Sequence, residues 1–387
     1  MTARQRPALA LRLAIVAGVL WAAAPAAQPP DEADQAVETL EPPAHPLPPE
    51  SASASDTKFS FIAYGDTRGG GGVVDGEGPH PHHAALVDGM LAAIREEAAR
   101  GFPVRFVVQS GDAVQQGRVV RQWNASFIPV IGRLLAEGDV PYFFAVGNHD
   151  VGGSERDREL GLRNTLSAMR KLWPAEGSPR RLDGYPTFAF GYGHVFVIAL
   201  DSNIPEDGTQ YAWVQRQLDA LDRTRYTQVF AVFHHPPISS GPHGGATLER
   251  QAAAVRRIYL PLFRRHHVRM TITGHEHFLE HWVEHYQDAG ETYRMDHLVS
   301  GGGGAPTYVF NARPDTDLFA AMAAPDPVRV EPLVVPGRAV EDNPHHFVIV
   351  EVDGPRIWVR AVATHGAPYT PYGVERAELS DISARVR

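Results

Sequence analysis

The sequence contains no cysteine. That excludes a disulfide framework, and it excludes the lipid-bearing cysteine of an anchored lipoprotein. Basic character is also scarce: 36 Lys and Arg stand against 45 Asp and Glu, a formal charge of −9, and no basic stripe interrupts that balance. Binding to long nucleic acid through phosphate neutralisation is therefore not expected. A small anionic substrate stays compatible if bound metal overrides the global sign locally. No internal repeat of fixed period occurs. The one long apolar run, residues 13–24, is short for a membrane span. Arg4, Arg6 and Arg12 precede it, and Ala24-Pro25-Ala26 follows as a small-residue cleavage pattern. Residues 1–27 thus read as a secretory signal peptide, with an uncleaved N-terminal anchor as the competing reading. The protein is expected to be exported, periplasmic or secreted, with no stable membrane anchor once the leader is removed.

Residues 28–57 are rich in Pro, Ala and Ser and carry Asp31, Glu32, Asp34, Glu38, Glu41, Glu50 and Asp56 without periodicity. They read as a disordered acidic tether. The folded domain is expected over 58–387, and at 43% hydrophobic residues the chain can bury a full core.

That domain alternates strand-like and helix-like segments. Strands are expected at 59–64, 102–109 and 141–146, separated by helices over 82–100 and 118–135. Further strands fall at 187–190, 194–200, 228–233 and 268–273, with helices over 154–171, 210–218 and 251–266. Such a rhythm is that of parallel βαβ units. Beyond Phe278 strand-like pieces dominate, at 279–285, 293–299, 347–352 and 357–363, and residues 314–343 form a poorly periodic insertion, either a lid or a surface loop.

Five of the apolar runs stop on groups that bind metal or move protons. They end on Gly65-Asp66, Gly111-Asp112, Gly147-Asn148-His149-Asp150, His234-His235-Pro236 and Gly274-His275-Glu276-His277. Singly, Gly-Asp after a strand is as well explained by a turn whose Asp caps the next helix. His275 and His277, two apart on an extended segment, can face one centre. Together, carboxylates, imidazoles and an Asn carbonyl at the carboxyl ends of strands suit hard to borderline divalent metals. Two such ions about 3.5–4 Å apart would form a clamp for in-line displacement at phosphorus.

In this combination and order the chain resembles the calcineurin-like metallophosphoesterase superfamily, including its purple acid phosphatase-like members, from about Phe59 to Pro306. Leu200-Asp201-Ser202 followed by Gln210-x-x-Trp213, and Val299-Ser300 with Gly301 to Gly304, are softer points of likeness. The resemblance implies an α/β fold, a two-sheet β-sandwich flanked by helices in four αββα layers, in which the strands after His277 would build much of the second sheet. It also implies a binuclear centre of divalent or trivalent ions (iron, manganese or zinc). Asp66, Asp112 and His277 would hold one ion. Asp112 would bridge to a second held by Asn148, His234 and His275, His234 being preferred to His235 as the first residue of His-x-Pro. His149 would stand beside the leaving-group oxygen as proton donor or phosphate clamp, and a water or hydroxide between the metals would be the nucleophile.

One position departs from the pattern. The family's His in Asp-x-His is Arg68, and the Tyr of purple acid phosphatases matches Gln115. Arg does not ligate metal. The first site is short of one ligand, and an extra water, a borrowed side chain or weak binding would follow. Arg68 either pairs with a substrate phosphate oxygen or forms a structural salt bridge. His80, His82 and His83 are candidates for the borrowed ligand, or exposed loop residues. Asp150 is expected to organise its loop, Asp201 to shape a site edge and His243 to line the mouth. The implied function is an exported phosphoesterase hydrolysing small phosphomonoesters or phosphodiesters. Its alternatives are a metal-binding, non-catalytic extracytoplasmic domain with a degenerate first site, or a metallohydrolase of another bond. The sequence sets neither the metals' identity nor the oligomeric state.

Overall fold

The apolar runs that end on Gly-Asp become neighbours in one sheet. In the computed structural model, which describes residues 36–173, 178–324, 328–364 and 369–379, β1 (Lys58–Tyr64) lies parallel to β2 (Val104–Gln109), and β2 parallel to β3 (Tyr142–Phe144). Helix α1 (Pro81–Ala99) makes the first crossover. The second is α2 (Val120–Gln122), a π turn at Trp123–Phe127 and α3 (Ile128–Gly138). Buried Trp123 fills that wide turn and donates its indole N–H to the Gly117 carbonyl at 2.8 Å. The short α4 (Asn148–Val151) and then α5 (Glu155–Met169) follow β3.

The second sheet begins with β4 (Arg180–Arg181), β5 (Phe188–Tyr192) and β6 (Val195–Ala199). Helix α6 (Gly208–Asp219) leads to β7 (Gln228–Val232), and α7 (Arg250–Arg265) to β8 (Met270–Thr273). A long hairpin follows, β9 (Leu279–Asp288) and β10 (Glu291–Ser300), then α8 (Thr316–Met322) and β11 (Arg329–Val334). The chain closes with β12 (His346–Asp353), β13 (Arg356–Ala363) and β14 (Ala377–Glu378). Six strands run in the order β14-β13-β12-β1-β2-β3, and eight in the order β11-β9-β10-β8-β7-β6-β5-β4.

Period-two alternation explains why these are sheets with two covered faces. Along β6, Val195, Val197 and Ala199 enter the core shared by the two sheets, while Phe196 and Ile198 face α6 and α7. Between the sheets, Phe106 meets Phe190 at 5.1 Å, Phe143 stacks on Phe190 at 4.0 Å, and Phe61 meets Phe230 at 5.4 Å. Each such ring contributes on the order of 1.5–3 kcal/mol by leaving water. This dry layer holds the two sets of strand ends at fixed separation, and both sets carry site residues.

Three expectations are corrected. Only β9, β10 and β11 of the strands after His277 build the second sheet. β12 pairs antiparallel with β1, Phe61 opposite Val350, so the last strands extend the first sheet. β12 is buried and apolar along most of its length, so hydropathy alone does not assign it to one of the two sheets. The insertion is not a plain loop: β11 adds to the edge of β9, Arg329 opposite His285, with Pro332 at that edge. Asp315 anchors it through both carboxylate oxygens to Arg256, at 3.1 and 2.6 Å.

The tether, too, is corrected over the part described. Leu40 is buried and donates its N–H to the Ala168 carbonyl at 2.9 Å. Glu50 accepts from Arg180 at 2.7 Å, from the Tyr226 hydroxyl at 2.6 Å and from the Gly191 N–H at 3.2 Å. An extended strap held by such side-chain bonds needs no hydrophobic period, so composition alone misreads it. The signal peptide and the start of the tether lie outside the described residues. Among the described residues no helix is long and apolar enough to cross a membrane.

Candidate metal centre

The parallel strands deliver their motifs to one edge, and the backbone there is held in sparsely populated conformations. Asp66, Asp112 and His275 all adopt left-handed φ, of 63°, 57° and 71°. Non-glycine residues sit there only where surrounding bonds enforce it. Those bonds are present: the Asp66 N–H donates to the Gly111 carbonyl at 2.9 Å, and the Thr67 and Arg68 N–H groups share the Asp112 carbonyl at 2.9 and 3.1 Å. The Asp150 carboxylate takes the N–H groups of Gly147, Asp112 and Ala113 at 2.7, 2.8 and 2.9 Å. Gly147 has no substitute, because a Cβ on it would stand 2.1 Å from Asp112 Oδ1.

One half of the cluster is a set of converging acceptors. His234 donates from Nδ1 to the Ser110 carbonyl at 2.9 Å, which leaves its Nε2 as a lone pair. His275 donates from Nε2 to Glu249 at 3.2 Å, so in the neutral ring its Nδ1 is a lone pair. These two ring atoms lie 3.1 Å apart, with Asn148 Oδ1 at 2.9 and 3.0 Å from them and Asp112 Oδ1 at 3.4 Å from His234 Nε2. Lone pairs facing one another in a buried site repel unless a cation sits among them. Partners on the far nitrogens that fix tautomer and ring orientation are what metal-binding histidines carry. Asp112, Asn148, His234 and His275 fit a metal ion.

The other half differs. His277 donates from Nδ1 to the Pro306 carbonyl at 2.6 Å, and its Nε2 stands 3.4 Å from Asp66 Oδ1. That Asp66 oxygen is buried with no hydrogen-bond partner. The Arg68 guanidinium fills the neighbouring space. Its Nε approaches Asp112 Oδ2 at 3.3 Å, one terminal nitrogen meets His277 Nε2 at 3.4 Å, and the other donates to Gln115 Oε1 at 2.8 Å. With that fork in place, the residues of this half do not fit a second ion.

Electrostatics follow the burial. Burial raises the Asp66 carboxyl to about 7, opposed chiefly by His234. Burial acts on Asp112 in the same sense, but His234, His149 and Arg68 outweigh it and hold Asp112 below its usual range. Burial and Arg68 push the His277 ring down to about 3, so it is neutral. Burial also lowers His234, whereas Glu249 raises His275 against its own burial.

His149 stands at the rim with 26% of its side chain exposed, its Nδ1 on the Gln115 carbonyl at 2.9 Å and its Nε2 4.0 Å from Asp112 Oδ2. All eight residues singled out in the sequence therefore meet here, with Arg68 on Asp112 and His277. His235 turns aside to the Ser202 hydroxyl at 2.8 Å, and the His243 ring lies tilted against His275 with centroids 4.5 Å apart. Asp201 pairs with Arg158 at 2.6 Å. His80 and His83 are not exposed loop residues. Both are buried, His80 capping α1 and His83 lying 3.2 Å from the Tyr64 hydroxyl. Sequence reasoning missed Glu249, and Tyr308, whose ring stacks on His277 at 4.1 Å. Neither residue lies in a motif, and no local signal marks it.

A two-sheet α/β sandwich with carboxylates and imidazoles at its joined strand ends has the make-up of a metal-dependent hydrolase. The chain belongs to the calcineurin-like phosphoesterase family, whose model matches residues 60–279. It is 26% identical over 264 residues to purple acid phosphatase 7 of Arabidopsis thaliana, covering 64% of this chain and 71% of that one. It is also 26% identical over 167 residues to probable purple acid phosphatase 20 of the same plant, covering 42% and 38% respectively. Among solved structures, the purple acid phosphatase PPD1 of yellow lupin (Lupinus luteus) superimposes with a TM-score of 0.58 at 15% identity, over 84% of this chain and 54% of that one. The chain thus spans well under two thirds of two of these relatives.

Proposed function

We propose that this protein is an exported, metal-dependent phosphoesterase that hydrolyses small phosphomonoesters or phosphodiesters. The observation that carries the reading is the convergence of His234 Nε2, His275 Nδ1 and Asn148 Oδ1 within 3.1 Å of one another, each imidazole pinned from behind. A metal bound there supplies Lewis-acid polarisation of a phosphoryl oxygen and lowers the pKa of water. Asp112 and Asn148 orient that centre from the β2 and β3 ends. Arg68, held by its own protein partners, adds a fixed positive charge beside that centre. His149 is aimed by the Gln115 carbonyl, which accepts from Nδ1, so Nε2 is the ring nitrogen left to pass a proton to a leaving-group oxygen. Export is supported by the leader pattern before residue 28.

The test is hydrolysis of p-nitrophenyl phosphate and of bis-p-nitrophenyl phosphate by protein reconstituted with manganese, iron or zinc. Turnover of either ester is expected; stoichiometric metal without turnover of any ester sinks the reading. One observation favours the alternative of a non-catalytic domain, namely Arg68 lodged against two of the family's ligands. The same assay separates the two.

A further inference from the structure

We infer that this chain holds one metal ion, not two, and that the Arg68 guanidinium stands permanently in the place of the first-site ion. The inference rests on the phosphoesterase reading only for the surviving half, on Asp112, Asn148, His234 and His275. Every nitrogen of the Arg68 fork is engaged: Nε with Asp112 Oδ2 at 3.3 Å, one terminal nitrogen with His277 Nε2 at 3.4 Å, and the other with Gln115 Oε1 at 2.8 Å and the Gly69 carbonyl at 3.1 Å. Because His277 donates its other nitrogen to Pro306, its Nε2 lone pair is the one a metal would need, and Arg68 takes it. A guanidinium does not deprotonate to make room.

Two further observations show a built arrangement. The two positions that depart from the family's motifs, Arg68 and Gln115, are hydrogen-bonded to each other. Asp75 braces both loops, accepting the N–H groups of Gly69 at 2.8 Å and Gln115 at 2.7 Å through one carboxylate oxygen. The Arg68 side chain is only 11% exposed, so the fork does not swing out freely. Asp66 is not stranded by this. Asp66, Asp112 and His234 each offer a ligand atom within 4.8 Å of one another, so the Asp66 carboxylate lies within reach of the single ion. The guanidinium also lines a cavity of about 440 Å³ with Gly70, Gln115 and Tyr308, where its charge is presented to an entering phosphate.

The full chain, stripped and reloaded with excess manganese, is gel-filtered and measured by elemental analysis and electron paramagnetic resonance. One manganese per wild-type chain is expected, with the hyperfine pattern of an isolated ion. Arg68→His and Arg68→Ala, checked for wild-type circular dichroism, are expected to gain a second equivalent and the signature of a coupled pair. Two ions in the wild type overturn the inference whatever the activity. So does folded protein of both variants that stays at one ion. No ion in the wild type overturns the inference and the phosphoesterase reading together. One ion without ester hydrolysis leaves the inference standing and removes the phosphoesterase reading. If neither variant folds, the wild-type count alone decides.

Discussion

Asp150 touches no proposed ligand atom, yet its removal is expected to dismantle the centre. Its two carboxylate oxygens accept the N–H groups of Gly147, Asp112 and Ala113, at 2.7, 2.8 and 2.9 Å. Burial and the nearby Asp112 charge raise its pKa. Both oxygens nonetheless face N–H donors, and a proton there would find nothing to accept it. In Asp150→Ala three donors lose their partner in a buried site. Bonds to a charged acceptor are worth about 1.5–3 kcal/mol each, and the relieved burial of the carboxylate offsets part of that, leaving a net loss of roughly 3–5 kcal/mol. With an unfolding entropy of about 2.1 cal/mol/K per residue, a domain of this size loses roughly 4–7 °C of Tm. Asp150→Asn keeps one oxygen for the Gly147 and Asp112 donors but sets an amide N–H against Ala113, so roughly half the loss is expected. The assay is thermal melting of the metal-free protein, which removes ligand linkage, followed by metal titration of whatever folds. Since those bonds hold Asp112 at its left-handed φ of 57°, metal affinity should also fall, by about 10–100-fold. Ala and Asn variants that both melt like the wild type and retain its metal affinity would refute the reasoning.

Three other outcomes are expected. His149→Ala keeps its metal while kcat on p-nitrophenyl phosphate drops about 10²–10⁴-fold, whereas Asp112→Ala loses metal and activity together; equal metal loss in both, by elemental analysis, contradicts the proton-handling role. Buried Glu280, accepting from the Ser240 N–H, is raised by burial from 4.5 to about 7. The folded state then binds more protons than the unfolded one across that window, so this residue makes stability fall as pH rises through it, by up to about 3 kcal/mol, and flatten above it. Urea unfolding of Glu280→Gln should show that descent removed, and a variant that keeps the wild-type slope would exclude Glu280 as its source. Glu50→Ala frees Arg180, Tyr226 and the Gly191 N–H, so the strap should loosen at a cost of about 1–3 kcal/mol; limited proteolysis that cuts wild type and variant alike before residue 58 would contradict this.

What the sequence revealed and what it hid divide along a physical line. Asp66, Asp112, Asn148 and His234 each stand at the end of an apolar run, and His275 and His277 share a fifth, a pattern local to the chain that marks them as candidates. The groups behind them were not so marked: the Ser110 and Pro306 carbonyls and Glu249 reach His234, His277 and His275 only through folding, across 124, 29 and 26 positions. The same holds for β12, whose apolar faces suit either sheet, and for the strap, whose bonds come from Glu50 rather than from a hydrophobic period. His80 and His83 looked exposed because glycines and prolines surround them, and are buried because α1 carries His83 toward Tyr64.

Arg68 lies on that line. The sequence exposes it as a residue unable to ligate metal, and leaves open whether it faces phosphate or a carboxylate. Direction is decided by contacts far away in sequence, the Asp112 oxygen and Gln115, with Asp75 bracing both loops, and these turn the fork inward onto His277. A missing ligand in the sequence is therefore, in three dimensions, a replaced charge. Loss of a ligand alone would leave a weak site that excess metal fills; a lodged guanidinium leaves a site that excess metal does not fill. Concentration dependence of the metal count separates these two cases, with the wild type expected to level off at one ion however much manganese is supplied.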